Sequence, residues 1–455
     1  MPEAPLLESI RSALAAAAAA ALGIDPPAVP LAAPAQPGHG DLASPLAMGL
    51  AKGLRRPPRE IGEAVAEALR DSAESSRWLQ AVEVAGPGFV NMTLSPAWFA
   101  AATAAVVQEG DRHGAGAAVT PRSILLEFVS VNPTGPPHVG HARQAAYGDS
   151  LGRILTFAGH DVTREYYVND HGRQMRLFGA SVAARYAGLE VPEDGYHGDY
   201  VAGIADRLRD EVGDRFASDP LGDEAVAFFS RRGEDLMLEL IRQELDRFRV
   251  VPFDRFFSER TLHEGGRVEE GVATLRERGD AYDAEGAVWF RTTAYGDAKD
   301  RVLMRSEGDP TYFAADVAYH LDKAGRGYDV LIDVLGADHH GYIPRLRAIL
   351  ASAGHDPDRL EAPIIQLVSL VEGGEAKRMS KRAGTLVTLG DLLDDIGVDA
   401  ARFFLVQRSH ETALELDLDL AREQSQENPV YYVQYAHARV HSIMAQAGDR
   451  ATAPA

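Results

Sequence analysis

The spacing of hydrophobic positions after residue 122 changes several times, and each change predicts a different element. The run ILLEFV is apolar apart from one acid, which is typical of a parallel strand buried on both faces. NPTGPP interrupts it, and apolar residues then recur at helical spacing from Val139 to Ala158, with Gly159 placed to cap the helix. VTREYYV follows as a second strand candidate. This order of strand, turn, helix and strand predicts a right-handed βαβ unit.

Two later segments repeat the alternation. YDVLIDVLGADHHGYIPRLRAILASAG predicts a strand that ends near Leu335 and a helix that begins near His340. PIIQLVSLV predicts a third strand, which leads into the loop EGGEAKRMSKRAG. Together these units predict an α/β fold with a doubly wound, Rossmann-type parallel sheet, which binds its ligand at the carboxyl ends of the strands.

Changes in composition divide the chain into domains. Residues 1–112 combine alanine-rich helical periodicity with VEVAGPGFVNMTLS, a period-2 strand pattern with a Gly-Pro-Gly bend, and predict a small α+β domain. A glycine-rich stretch near 110–120 predicts a linker, and residues 119–395 form the predicted α/β domain. The segment at about 176–300 has mainly helical periodicity and is too long for an ordinary crossover between two parallel strands, so we expect a helical insertion there. Residues 396–455 are helical again.

Composition narrows the classes of function. The chain has 455 residues and a formal net charge of -21, so its overall field repels polyanions and a nucleic-acid partner would need a local basic face. It contains no cysteine, which excludes disulfides and thiolate chemistry and fits a cytoplasmic location. The start SALAAAAAAALG follows Glu3 and Glu8 rather than basic residues, and no stretch reaches the roughly 20 apolar residues of a membrane span. We therefore expect neither a signal peptide nor a membrane partner.

His138 and His141 lie directly behind the predicted turn, at the start of the predicted helix. Both imidazoles could be satisfied locally, which is the usual outcome for an isolated HxxH pair. They could instead bind a metal, although the spacing lacks the HExxH pattern. They could also add donors to the N–H groups of the helix N-terminus and bind an anion, with Gly140 allowing a close approach.

The loop KRMSKRAG favours the anion-binding interpretation. It carries four cationic residues after the third predicted strand, Lys377, Arg378, Lys381 and Arg382. A cationic loop at the carboxyl end of a parallel sheet suits a pyrophosphate, which gains charge as it leaves. We therefore predict that the histidine turn and this loop face a single phosphate-bearing ligand.

HVGH and RMSKR resemble the two signatures of class I aminoacyl-tRNA synthetases, and the surrounding text resembles arginyl-tRNA synthetases in particular. GDLASPLAMGLAKGL and VEVAGPGFVNMTLS are similar to the N-terminal, tRNA-binding domain of that family, and NPVYYVQYAHAR is similar to the start of its anticodon-binding helices. Arg378 and Arg382 stand where the family usually has lysine and serine. Because the family's helical bundle extends well beyond this point, the resemblance implies that the C-terminal helical region is incomplete.

The resemblance implies an enzyme that activates arginine with ATP and transfers it from arginyl-adenylate to the terminal adenosine of arginine tRNA. It implies that Mg²⁺ arrives with ATP, that no metal is held by the protein itself, and that the enzyme is a cytoplasmic monomer. The implied catalytic residues are His138, His141 and Lys381. The implied ATP contacts are His138, Gly140, His141, Arg378, Met379, Ser380 and Lys381.

A pocket for the arginine guanidinium needs carboxylates and a polar aromatic side chain, because the guanidinium is planar and permanently charged. The resemblance implies the set Glu127, Asn132, Glu259, Tyr312, Asp316 and His339. Tyr312 and Asp316 would share one face of a helix. Structural interpretations stay open: Asp316 could be an exposed helix residue, Glu127 half of an ion pair, and Glu259 a solvated residue at a helix start.

Two other functions stay open at this point. GADHHG, with Asp338, His339 and His340, resembles the motif of the DHH phosphoesterases, which are metal-dependent, but the further Asp and His motifs of that family are not found in order. The second alternative is a synthetase-derived tRNA-binding protein without catalytic activity. The intact histidine turn and Lys381 argue against it.

Overall fold

The computed structural model describes residues 5–24, 29–34, 36–116, 118–377 and 387–448. Contacts divide the chain into two units, Met1–Pro121 with Thr156–His160 and Arg122–Leu155 with Asp161–Ala455. Each unit has its own hydrophobic core. Within the described ranges, no helix combines the length and the apolar character that crossing a membrane requires.

The first unit packs helices against a small antiparallel sheet. Its elements are α1 (Pro5–Leu22), β1 (Leu42–Ser44), α2 (Leu46–Leu54), α3 (Pro58–Arg70), α4 (Ala73–Trp78), β2 (Leu79–Ala85), β3 (Phe89–Leu94) and α5 (Pro96–Glu109). The strand order is β1-β3-β2, and the predicted Gly-Pro-Gly bend joins β2 to β3. The apolar face of α3, with Ile61, Val65 and Leu69, shares one core with Val82 and Val90 of the sheet.

The second unit is built on a five-stranded parallel sheet. Its elements are β4 (Ser123–Glu127), α6 (Val139–Phe157), β5 (Asp161–Val168), α7 (Arg173–Ala187), α8 (Asp199–Val212), α9 (Asp223–Arg247), β6 (Arg255–Ser258), α10 (Arg260–Glu264), α11 (Arg267–Glu277), β7 (Ala281–Ala284), β8 (Ala287–Phe290), β9 (Arg301–Met304), α12 (Tyr312–Gly325), β10 (Val330–Asp333), β11 (Leu335–Gly336), α13 (Ile343–Ser352), β12 (Leu360–Glu361), β13 (Ile364–Ile365), β14 (Val368–Glu372), β15 (Glu375–Ala376), α14 (Leu389–Val406), β16 (Leu414–Asp417), α15 (Leu418–Arg422) and α16 (Pro429–Ala447). The strand order is β12-β10-β4-β5-β6, and all neighbours are parallel. The predicted Rossmann-type α/β fold is therefore confirmed.

The segment predicted as a helical insertion contains strands as well as helices. Helices α7, α8 and α9 connect β5 to β6, and they pack around Phe178, Phe229 and Met237. β6 returns to the edge of the main sheet, beside β5. The next strands, β7, β8 and β9, form a separate antiparallel sheet.

The prediction that PIIQLVSLV forms a single third strand of the main sheet is wrong. The segment forms two short strands in two other sheets: β13 pairs in parallel with β11, and β14 pairs with β15 and β16. The break falls at Gln366, whose backbone N–H donates to the carbonyl of His410. The apolar composition of this run does not reveal such a change of partner, because both strands have the same composition.

A buried ion cluster holds α12 against the carboxyl ends of β4 and β10. Lys323 of α12 is fully buried, and its ammonium donates to Glu127 at the end of β4 and, over 2.6 Å, to Asp333 at the end of β10. His320 Nε2 lies 3.0 Å from the other oxygen of Asp333. Burial alone would raise the pKa of Asp333, but the Lys323 ammonium and His320 hold it well below its ordinary value. The carboxylate is therefore kept ionised by its partners.

Gly148 of α6 leaves no room for a side chain. A Cβ atom there would lie 2.4 to 2.6 Å from three atoms of Phe128, which is fully buried. We expect Gly148→Ala to lower the free energy of unfolding by about 1–3 kcal/mol, because the added methyl overpacks the core. Gly203→Ala in α8 is the matched control, since a Cβ there meets nothing within 4 Å. Alanine at that helical position should raise the free energy by about 0.5–1 kcal/mol. Urea unfolding measures both, and equal effects would contradict the packing argument.

Lys323→Met removes the ammonium but keeps a side chain of similar length. We expect the free energy of unfolding at neutral pH to fall by about 3–5 kcal/mol, because the buried Asp333 and the partly buried Glu127 lose their cation. Urea unfolding measures the change, and Lys299→Met, at an exposed position of the same unit, is the control. A loss no larger than that of the control would contradict the structural role of Lys323.

The same cluster predicts the pH dependence of stability. The pKa of Asp333 is lower in the folded protein than in the unfolded chain, so its contribution is complete above the unfolded value of about 3.9 and is lost as the pH falls below it. Unfolding midpoints in urea should therefore decline steeply below about pH 4. The decline should be shallower in Lys323→Met, which lacks the cation that lowers this pKa.

Candidate active site

The histidine turn joins the carboxyl end of β4 to the start of α6. The backbone N–H of His138 donates to His141 Nδ1 over 3.2 Å, and that of Gly140 donates to His138 Nδ1 over 3.1 Å. The two rings stack with 3.7 Å between their centroids. Because each neutral imidazole accepts at Nδ1, its proton resides on Nε2, which is therefore the donor. The local pairing left open by the sequence is present, and it orients both rings.

Gly140 provides space for His138 to fold over the turn. A Cβ atom at this position would lie 3.0 Å from His138 Cε1, tighter than an ordinary contact. The sequence predicts that this glycine admits a ligand. In the structure, the side that a Cβ would occupy faces the His138 ring, so the missing side chain also sets the conformation of that ring.

The chain just after the basic loop is attached to the histidine turn. The backbone N–H of Val139 donates to the carbonyl of Val387, and that of Leu389 donates to the carbonyl of Pro137. His138 and Thr388 form an antiparallel bridge between these bonds. The ATP-binding residues predicted in the loop, Arg378, Met379, Ser380 and Lys381, lie outside the described residues, as does Arg382. The described residue that follows the loop is nevertheless adjacent to His138.

β4 ends in a strained backbone. Val129 and Ser130 have positive φ angles of 69° and 43°. A β-branched residue in this region is a conformational outlier, and such strain is concentrated at functional sites. Ser130 Oγ donates to Glu127 Oε1 over 2.9 Å, and Asn132 Nδ2 donates to Gln174 Oε1 over 2.9 Å. These bonds hold the chain that presents Asn132 at the carboxyl edge of the sheet.

Three carboxylates predicted for the arginine pocket surround Tyr167. Burial raises the pKa of Tyr167 well above its ordinary value, and the charges of Glu259, Asp316 and Glu127 raise it further. Glu259 is the acid with the largest effect on the pKa of Tyr167, and it is only 4% exposed. Burial raises the pKa of Glu259 to about 7. The fold thus brings together three acids that are remote in the sequence, and Glu259 is buried rather than solvated.

Among the described residues, a neutral hydroxyl and not a lysine or arginine binds Asp316. It is half-buried on α12, and its Oδ2 accepts from the Tyr342 hydroxyl over 2.7 Å. Burial raises its pKa, against the opposing effect of His320. Lys323 of the same helix pairs with Glu127 and Asp333 instead. In the part of the chain that the structure describes, no lysine or arginine forms an ion pair with Asp316, so a ligand cation would be its natural partner.

Tyr312 and His339 lie in more open positions. Tyr312 begins α12, one turn before Asp316, and is 61% exposed. The His339 ring lies 5.9 Å from the ring of Tyr342, whose hydroxyl donates to Asp316. The structure therefore places His339 near the partner of Asp316, whereas Tyr312 shares a helix with Asp316 without being enclosed.

Three residues of this site were not predicted from the sequence. Tyr167 could have been suspected, because alternation along β5 points it to the opposite face from the buried Tyr166. Tyr342 closely follows DHHG, but no spacing rule singles it out. Lys323 is one of many charged residues in segments with helical periodicity, and its burial depends entirely on tertiary packing.

Known protein families match most of the chain. Residues 6–94 match the arginyl tRNA synthetase N-terminal domain, and residues 103–193 and 216–437 match the catalytic domain of class I (R) tRNA synthetases. The chain is 48% identical over 449 residues to the arginine–tRNA ligase of Geobacillus thermodenitrificans, covering 98% of this chain and 80% of that protein. It is 50% identical over 423 residues to the arginine–tRNA ligase of Frankia alni, covering 93% and 75% respectively.

A solved structure agrees on the fold. The arginyl-tRNA synthetase of Thermus thermophilus superimposes with a TM-score of 0.74 at 23% identity, covering 97% of this chain and 82% of that one. At this identity the likeness supports the architecture alone. Because the family models and the curated relatives cover most of its length, the chain belongs to the arginyl-tRNA synthetase family.

Proposed function

We propose that this protein is an arginine–tRNA ligase, which activates arginine with ATP and transfers it to the 3′-terminal adenosine of arginine tRNA. The bridge between His138 and Thr388 carries the proposal, because it joins the histidine turn to the chain that follows the basic loop. Glu127 and Asn132 lie at the same carboxyl edge of the sheet, at and just beyond the end of β4. A phosphate-binding turn and an acidic pocket at one edge suit a reaction between ATP and a cationic amino acid.

In the proposed first step, the arginine carboxylate attacks the α-phosphate of ATP, and pyrophosphate leaves. The nucleophile is already ionised, so catalysis consists of positioning and charge stabilisation rather than proton removal. His138 and His141 donate from Nε2 to phosphate oxygens, and Lys381 neutralises the departing pyrophosphate. Gly140, Arg378, Met379 and Ser380 complete the proposed ATP contacts. ATP enters as its Mg²⁺ complex.

In the proposed pocket, Asp316 binds the guanidinium and Tyr312 covers it from the open side. Asn132 and His339 contact the backbone groups of arginine. Glu259, kept partly protonated by burial, borders the same space. We assign Glu127 a supporting role, because its charge is already balanced by Lys323.

In the proposed second step, the terminal ribose hydroxyl of the tRNA attacks the mixed anhydride of arginyl-adenylate and releases AMP. We also propose that the enzyme acts as a cytoplasmic monomer and that bound tRNA is needed before arginine is activated. The phosphoesterase alternative is not favoured by the geometry of GADHHG. Asp338 and His339 lie in a 3-10 helix with 84% and 50% of their side chains exposed, whereas a metal cage needs converging ligands.

Exchange of labelled pyrophosphate into ATP tests the activity. We expect exchange that requires both arginine and arginine tRNA. His141→Asn should reduce the rate by about 10²–10³-fold, as expected when one donor to a developing charge is removed. The matched control is His437→Asn, at an exposed position of α16. Exchange that depends on another amino acid instead of arginine would refute the proposal. A folded protein that shows no exchange, either with or without tRNA, would also refute it.

Asp316→Asn tests the pocket. The substitution keeps the size of the side chain and an acceptor for Tyr342 but removes the charge. We expect the KM for arginine to rise at least about tenfold more than the KM for ATP, because a charge-assisted bond to the guanidinium is lost. Asp246→Asn, at an exposed position of α9, removes a carboxylate outside the pocket and is the control. Equal shifts in both KM values would make Asp316 a structural residue rather than a pocket acid.

A further inference from the structure

His171, Glu259 and His263 lie together at the carboxyl ends of two neighbouring strands. His171 follows β5, Glu259 directly follows β6, and His263 lies within α10. β5 and β6 are paired in parallel, with Val168 opposite Ser258, so the sheet itself brings these segments together. One donor atom from each of the three side chains lies within 4.8 Å of the other two.

We infer that His171, Glu259 and His263 form a binding site for a single transition-metal ion of the Zn²⁺ class. The sequence alone predicts no metal held by the protein. Two imidazoles and one carboxylate are a typical zinc set, with a fourth position left for water. Mg²⁺ and Ca²⁺ prefer a shell of oxygen atoms only, so this donor set selects against them.

The distances suit a tetrahedral ion. His263 Nε2 lies 3.4 Å from Glu259 Oε1. Ligand bonds of about 2.0–2.2 Å at tetrahedral angles place neighbouring ligand atoms about 3.4 Å apart. One ligand atom from each of the three side chains lies within 4.8 Å of the other two. The His171 and His263 rings stack with 3.8 Å between centroids. An imidazole binds a metal in the plane of its ring, so the two rings must rotate out of this stack to bind the same ion.

Asp170 fixes the backbone that carries the ligands. It is buried, and one of its oxygens accepts from the Arg260 backbone N–H over 2.8 Å while the other accepts from Ser258 Oγ. The backbone N–H of Glu259 donates to the carbonyl of Val168 over 3.0 Å. The segments after β5 and β6 are thus tied together independently of any ion, and such preorganisation favours binding.

Glu259 connects this site to the proposed arginine pocket. The charges of Glu259 and Asp316 act on one another. A metal ion on Glu259 would place positive charge beside the pocket that we propose for the guanidinium. Metal and arginine should therefore weaken each other's binding, and this consequence rests on the proposed function.

Titration with Co²⁺ tests the metal site without measuring catalysis. A four-coordinate Co²⁺ ion absorbs visible light, so the full chain should develop this absorption up to one equivalent, and Zn²⁺ should abolish it. His171→Gln and His263→Gln should each weaken Co²⁺ binding at least about tenfold, because a ligand is lost. Urea unfolding of both variants checks that the fold is retained.

The control variant removes a different pair of histidines. His437 and His441 lie on the exposed α16 with 4.3 Å between ring centroids, a spacing that can also bind metals. His437→Gln with His441→Gln should leave the Co²⁺ signal unchanged. A signal that disappears in this variant, or that persists in folded His171→Gln and His263→Gln, would overturn the assignment.

A second titration tests the link to arginine. Saturating arginine should weaken Co²⁺ binding at least about fivefold, the lower end of typical coupling between sites. Lysine at the same concentration is the control, because it chelates free Co²⁺ through the same amino and carboxylate groups. Equal effects of arginine and lysine would overturn the antagonism. Pyrophosphate exchange on the same sample separates this result from a failure of the proposed function.

Discussion

The buried ammonium of Lys323 determines where the proposed pocket lies. It bonds two carboxylates, Glu127 and Asp333, that end adjacent strands of the parallel sheet. Either carboxylate would be costly in the core without a cation, so α12 is held against the sheet at this point. Asp316, two turns earlier on α12, is thereby placed beside Tyr342 while its charge is left for another partner. The ion cluster around Lys323 thus positions Asp316, although Asp316 makes no ion pair with Lys323.

The carboxylates at this edge of the sheet fall into two groups with different environments. Asp333 is ionised at low cost because Lys323 and His320 face it. Burial raises the pKa of Asp316 and of Glu259, so ionising either one costs free energy in the absence of a cation. A cationic ligand that binds them recovers this cost. The fold therefore supplies a site that favours cations without placing its own arginine or lysine against Asp316 in the described part of the chain.

Local patterns in the sequence predicted the elements better than they predicted the site. The helix from Val139 and the strands on both sides of it were predicted correctly, because their periodicity is a local property. PIIQLVSLV was assigned to the wrong sheet, since the change of partner at Gln366 has no signature in an apolar run. From the sequence, an ion pair was one possible interpretation of Glu127. Its partner Lys323 could not be identified, because it lies almost 200 positions away in a segment with ordinary helical periodicity. Long-range pairing of charges decides such roles, and it is set by tertiary structure.

The parallel sheet explains why one carboxylate can belong to two groups of residues. The carboxyl ends of β4, β5 and β6 lie side by side, so residues that follow them converge from distant parts of the chain. Glu259 follows β6, where its charge interacts with that of Asp316 in the proposed pocket. The same carboxylate lies within 4.8 Å of ring nitrogens of the histidines beyond β5 and β6. A carboxylate shared in this way cannot neutralise two cations at full strength, since each reduces the negative charge that the other encounters. Any cation that binds the histidines therefore acts on the pocket through Glu259, without a change in the backbone.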